Sequence, residues 1–121
     1  MRAFVLLTAG LMTTASLAWS GEVEILAAEA SRAPDGTWRI SVTVAHADTG
    51  WEHYADAWRV LAPDGAILGT RTLYHPHVEE QPFTRSLSGV TIPEDVAAVS
   101  IEARDSVHGW APRAFPLTLP R

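Results

Sequence analysis

The sequence predicts an all-β fold, a seven-stranded antiparallel sandwich of two sheets, on three observations. Trp38-Arg-Ile-Ser-Val-Thr-Val-Ala-His46 alternates without a break, placing Trp38, Ile40, Val42 and Val44 on one face, the period of a half-buried strand. Ala-Pro-Asp-Gly occurs twice, at 33–36 and 62–65, each time between two strand-like runs. After the first twenty residues, no stretch of helix length carries an amphipathic helical period.

The elements follow in order. Val23 to Ser31 is the first strand, less cleanly alternating than the rest, and the Trp38 run is the second. Tyr54 to Leu61 comes third, with Tyr54, Trp58 and Val60 on one side, and Ala66 to Tyr74 fourth. Trp38, Tyr54 and Trp58 read as core. Phe83 to Val90, Ala98 to Val107 and Ala114 to Leu119 complete the seven. In each Ala-Pro-Asp-Gly the proline presets φ and the glycine accepts a left-handed conformation, so both are expected to be tight hairpins. Thr91-Ile-Pro-Glu-Asp-Val96 is a different connector, whose proline suits one short turn of helix. Seven short strands in about 100 residues fit a two-sheet sandwich.

The first segment reads as a leader. Met1-Arg2 is a short positive start, Ala3 to Leu17 is apolar apart from Thr8, Thr13, Thr14 and Ser16, and small residues follow. Ser16-Leu17-Ala18 and Ala18-Trp19-Ser20 both have the spacing that a signal peptidase reads. The expectation is a signal peptide over 1–18, or cleavage after 20, and a single domain over 19–121. The apolar run is short for a membrane span of about 20 residues, so no membrane insertion is expected after cleavage. A periplasmic or secreted bacterial protein follows.

Composition narrows function. All nine basic residues are arginine, against fourteen acidic ones, for a formal charge of −5. Such a chain lacks the basic face that displaces counterions from nucleic acid. Cysteine is absent, which leaves no disulfide, lipid-attachment cysteine, c-type haem, blue-copper thiolate or thiol nucleophile.

Trp38 on the second strand, Tyr54 and Trp58 on the third, and the Ile92-Pro93 to Ala103 run into the sixth resemble exported immunoglobulin or fibronectin type III modules. The resemblance is architectural and implies a fold, leaving function open. In the fibronectin type III order, the first, second and fifth strands form one sheet, and the fourth, third, sixth and seventh form the other. The loops 46–53, 75–82 and 108–113 then share one pole. His46, His53, His75, His77 and His108 all fall there, with Trp51, Trp110, Asp48, Glu52, Glu79 and Glu80, and Asp105 one residue into the sixth strand.

His75-Pro76-His77 is the sharpest element, because proline holds its predecessor extended and lets both imidazoles face one side. With His108 from a converging loop and Glu80 as a fourth donor, the set suits Cu²⁺ or Zn²⁺. Glu79 is an alternative donor, and Asp105 could orient a histidine from behind. The expectation is a metal-binding protein with His75, His77, His108 and Glu80 as ligands, and His46 and His53 as structural residues. A plainer reading has His75 capping its strand and His77 bonded to a loop carbonyl or paired with Glu80; a histidine pH switch is a third. Arg85 is expected to pair with Glu79 or Glu80 and tie the loop to the fifth strand.

The alternative from a different class is a protein-recognition module for a periplasmic partner, with Trp51 and Trp110 either as anchors or as lids over the pole. Asp105-Ser106-Val107-His108 holds the residue types of a hydrolase triad, but strand alternation sends Asp105 away from Ser106 and His108. No enzyme is expected, a zinc hydrolase being the remote exception.

Overall fold

The computed structural model describes residues 21–121; the expected leader, 1–18 or 1–20, lies outside the described residues. Eight strands follow in chain order: β1 (Glu24–Arg32), β2 (Trp38–Ala45), β3 (Ala55–Leu61), β4 (Ile67–Thr72), β5 (Phe83–Val90), β6 (Ala98–Asp105), β7 (Gly109–Trp110) and β8 (Phe115–Thr118). They form two antiparallel sheets, β1-β2-β5 and β4-β3-β6, with both β7 and β8 on the outer side of β6. This is the expected two-sheet sandwich and strand order. The expected seventh strand, Ala114 to Leu119, is β8, while β7 is a two-residue strand inside the segment expected to be the 108–113 loop; Pro116 is accommodated on the sheet edge, where a missing N–H costs no ladder bond.

The two Ala-Pro-Asp-Gly segments fold alike. Gly36 N–H donates to Ala33 O at 3.0 Å and Gly65 N–H to Ala62 O at 2.9 Å. Asp35 and Asp64 each accept the backbone N–H two residues on, at 3.0 and 2.9 Å. Both glycines stand at positive φ, 88° and 89°. The Thr91–Val96 connector departs from expectation: it holds a hydrogen-bonded turn, Val96 N–H to Pro93 O at 3.0 Å, and no helix.

The core lies between the sheets. Trp38, Ile40, Val42 and Val44 of β2 face Trp58 and Val60 of β3 and Val99, Ile101 and Ala103 of β6, all buried. A fully buried large apolar side chain contributes roughly 1.5–3 kcal/mol. Two bulges explain where simple alternation misleads. One between Ile25 and Ala27 breaks the period of β1. The other, between Ala55 and Ala57, turns Ala55 inward. Tyr54, expected in the core, is therefore only half-buried and packs edge-on against Trp51 with centroids 5.7 Å apart.

Candidate metal centre

The inward face of β2 continues through its end: after Trp38, Ile40, Val42 and Val44 comes His46, 1% exposed. The inward face of β6 does the same, running Val99, Ile101, Ala103 and then Asp105, which is 0% exposed. Both core strands thus deliver a polar side chain to the same end of the sandwich. His53 arrives from the tight turn before β3, where Thr49 N–H donates to His53 O at 3.0 Å and His53 N–H to Gly50 O at 3.2 Å.

These three residues form a cluster. One ligand atom from each of His46, His53 and Asp105 lies within 4.8 Å of the others. Among the described residues this is the one group of three or more such side chains that could hold a metal ion. Ligands around a tetrahedral centre with bonds of about 2.1 Å sit roughly 3.4 Å apart, so the three side chains would have to close inward on an ion.

His108 completes the rim. The chain turns directly after Asp105, whose Oδ1 accepts Val107 N–H at 2.9 Å and His108 N–H at 2.8 Å. That turn ends strand alternation and brings the His108 ring back, Nδ1 3.0 Å from Asp105 Oδ1. The expected separation of Asp105 from His108 is corrected accordingly. The His53 ring lies between the other two imidazoles, with centroids 4.7 Å from His46 and 5.0 Å from His108. Burial pushes the Asp105 carboxyl up, but the N–H groups of His108 and Val107 and the His108 side chain outweigh it, so its pKa is held below the ordinary carboxylate value.

The hydrogen-bond chemistry is short of positive charge. His46 Nδ1 faces Asp48 Oδ1 at 2.5 Å, and its Nε2 faces the carbonyl oxygen of Gly21 at 3.0 Å. A neutral imidazole carries one N–H, so one of these two contacts lacks a proton. His53 Nε2 likewise faces two acceptors, Gly21 O at 3.2 Å and Asp105 Oδ1 at 3.1 Å. Asp105 Oδ2 is buried without a partner among the described residues. Among the described residues, Asp48 (5% exposed) and Asp105 have no arginine as a hydrogen-bond or salt-bridge partner. Buried carboxylates are costly unless compensated; here backbone N–H groups of Ala55, His77, Val107 and His108 do so in part.

Asp48 also links this cluster to the loop over 75–82. Its Oδ1 accepts Ala55 N–H at 3.0 Å and its Oδ2 accepts His77 N–H at 2.8 Å. Gln81 adds a second tie, accepting His46 N–H at 3.0 Å and donating to His77 O at 2.9 Å.

The residues singled out from sequence divide between the two sides of that link. His75 and His77 are neighbours, ring centroids 4.7 Å apart, as proline spacing suggested. His77 is buried and stacked on Phe83 at 3.8 Å, and its Nε2 accepts from Arg85 Nη2 at 2.9 Å. Burial, then Arg85 and His75, push its pKa below the ordinary imidazole value. Arg85 also lies 3.6 Å from Glu80, the expected loop-to-strand pairing. His75, His77 and Glu80 thus gather about Arg85, while His108 belongs with Asp105 and His53. Trp51 is 67% exposed and covers no pole as a lid. Trp110 sits on β7, where the Arg59 guanidinium stacks 3.8 Å from its ring.

Sequence reasoning gave His46 and His53 a structural part and passed over Gln81 and Gly21. For His46 and Asp105 the signal was present: each continues the inward parity of a core strand.

No protein-family model and no solved structure matches this chain. Over 75 residues, 62% of its length, it is 40% identical to a protein of Halomicrobium mukohataei described as "Putative lipoprotein". The match covers 36% of that protein, so the chain spans about a third of the relative's length. Among the described residues, no helix is long and apolar enough to cross a membrane.

Proposed function

We propose that this is an exported protein that binds one transition-metal ion, Cu²⁺ or Zn²⁺, at the histidine pole of its sandwich. Export rests on the leader pattern in 1–20 together with the likeness to a protein described as a lipoprotein. The ligands are His46 Nε2, His53 Nε2 and Asp105, with His108 beside them. The observation that carries the reading is the convergence of imidazole nitrogens and buried acceptors, with no arginine among the described residues paired to them. A divalent cation at that point supplies what the hydrogen bonds lack. Asp48 behind His46 is the carboxylate–histidine pairing that orients a metal ligand. In an all-nitrogen-and-oxygen set Cu²⁺ binds more tightly than Zn²⁺.

The site chosen from sequence is the competing one. There His77 has committed its Nε2 to Arg85, so the His75–His77 pair offers fewer free lone pairs. Calorimetric titration with Cu²⁺ and Zn²⁺ separates the two. About one equivalent should bind, be lost in His46→Ala and His53→Ala, and survive in His75→Ala/His77→Ala. The opposite ranking moves the site to the 75–82 loop, and no uptake by the unsubstituted protein removes metal binding altogether.

A second reading, recognition of a protein partner at the same pole, draws on four exposed apolar side chains there: Trp51, Tyr74, Val78 and Val107. Trp110, held under Arg59, fits an anchor less well than Trp51. Metal-independent binding of a partner that Trp51→Ala abolishes would favour it.

A further inference from the structure

We infer that the mature chain begins at Gly21 and that the α-amine and carbonyl oxygen of Gly21 are themselves ligands to the metal held by His46 and His53. The inference rests on the metal-binding reading above and adds the N-terminus to it.

Gly21 is buried against the cluster. Its carbonyl oxygen lies 3.0 Å from His46 Nε2 and 3.2 Å from His53 Nε2. A methyl group on its Cα would fall 2.2 Å from His108 Cε1 and 2.7 Å from His108 Nε2. All three imidazoles therefore close on the backbone of this one residue, and any larger residue there would have to displace the His108 ring. An oxygen facing two Nε2 atoms at hydrogen-bond distance occupies the place of a fourth ligand.

The sequence says what lies upstream of that residue. Ala18-Trp19-Ser20 is one of the two small-residue patterns at the end of the leader, and cutting after it leaves Gly21 first. In that step, water adds across the Ser20–Gly21 amide, releasing the carboxylate of Ser20 and the amine of Gly21. An α-amine has a pKa near 7.7–8.0, low enough that at neutral pH a metal ion displaces its proton to solvent and takes the nitrogen lone pair. Amine nitrogen and carbonyl oxygen of one residue close a five-membered chelate ring. Export would thus finish the site: a precursor, whose Gly21 nitrogen is an amide, lacks that donor.

The absence of lysine makes the test clean, because the α-amine is the sole primary amine of the chain. The full precursor is expressed in a bacterium that exports it, and the exported protein is sequenced from its N-terminus. It is then titrated with Cu²⁺ before and after acetylation by an amine-selective active ester. The expected results are a chain beginning at Gly21, an affinity reduced at least about tenfold by acetylation, and protection of the amine when Cu²⁺ is bound first. A chain beginning at Trp19 overturns the inference. So does a chain beginning at Gly21 that binds Cu²⁺ equally well when acetylated, which leaves the histidine site standing. Failure of the unmodified protein to bind Cu²⁺ overturns both.

Discussion

Asp48→Asn is the substitution whose consequence the structure sets most tightly. The carboxylate receives three donors: His46 Nδ1 at 2.5 Å and Ala55 N–H at 3.0 Å on one oxygen, and His77 N–H at 2.8 Å on the other. An asparagine of the same shape has one oxygen, so its NH₂ must face a donor whichever way it is turned. With the oxygen kept toward His46 and Ala55, the His77 N–H is left buried and unmet. An unsatisfied buried donor costs about 1–3 kcal/mol, and the two surviving bonds lose their charge assistance, roughly a further 1 kcal/mol. The sum, about 3 kcal/mol, is a large part of the 5–15 kcal/mol expected of a domain. With m near ~2 kcal/mol/M, the urea midpoint should fall by about 1.5 M at unchanged m. Copper affinity should fall roughly ten- to a hundredfold, since the surviving bond to His46 no longer comes from a carboxylate, whose charge raises the basicity of a ligating imidazole. Tryptophan fluorescence and calorimetric titration read the two effects. A midpoint shift below about 0.3 M with unaltered copper affinity would refute the role given to Asp48.

Other consequences follow from the same structure. Ile101→Ala, in the centre of β6 and fully buried, should cost about 2–5 kcal/mol, seen as a lower urea midpoint with m unchanged; a change under 0.5 kcal/mol would contradict the core assignment. Trp51→Ala should alter stability by less than about 0.5 kcal/mol and leave copper uptake intact, because the ring is largely exposed; loss of uptake would place Trp51 in the site. His77 has a pKa pushed down by burial, Arg85 and His75 against the opposing Glu80 and Asp48, so the unfolded chain takes up its proton first as pH falls. Its contribution is full above the unfolded value of about 6.5 and is lost as pH drops through the lower folded value. His77→Gln should therefore flatten the decline in urea midpoint between pH 7.5 and 5.5, and an unchanged slope would count against a neutral His77.

Much of the fold could be read from local pattern. The unbroken alternation of β2 and the repeated Ala-Pro-Asp-Gly turns settled strand identity, and short connections between them left few topologies. The departures have a common cause, in that bulges and turns shift parity without any mark in residue type. The bulge at Ala55 exchanged Tyr54 for Ala55 in the core, and the turn after Asp105 folded His108 back onto a carboxylate that alternation placed elsewhere. The short β7, inside a segment that reads as loop, was hidden for the same reason. The site was legible at the level of the pole and only partly at the level of residues. His-Pro-His drew the eye as a local motif, whereas Asp105 lies far in sequence from His46 and His53, meeting His53 through the pairing of β3 with β6 and His46 because the two sheets pack face to face. Carrying the inward parity of β2 and β6 one step past the apolar run would have found two of the three.

The central claim is tested most directly by locating the metal itself. Crystals of the exported protein, loaded with one equivalent of Cu²⁺ and measured at the copper absorption edge, should show a single anomalous peak bounded by His46 Nε2, His53 Nε2 and Asp105, in contact with the backbone of Gly21. A peak between His75 and His77, or no ordered copper at the pole, would contradict the account.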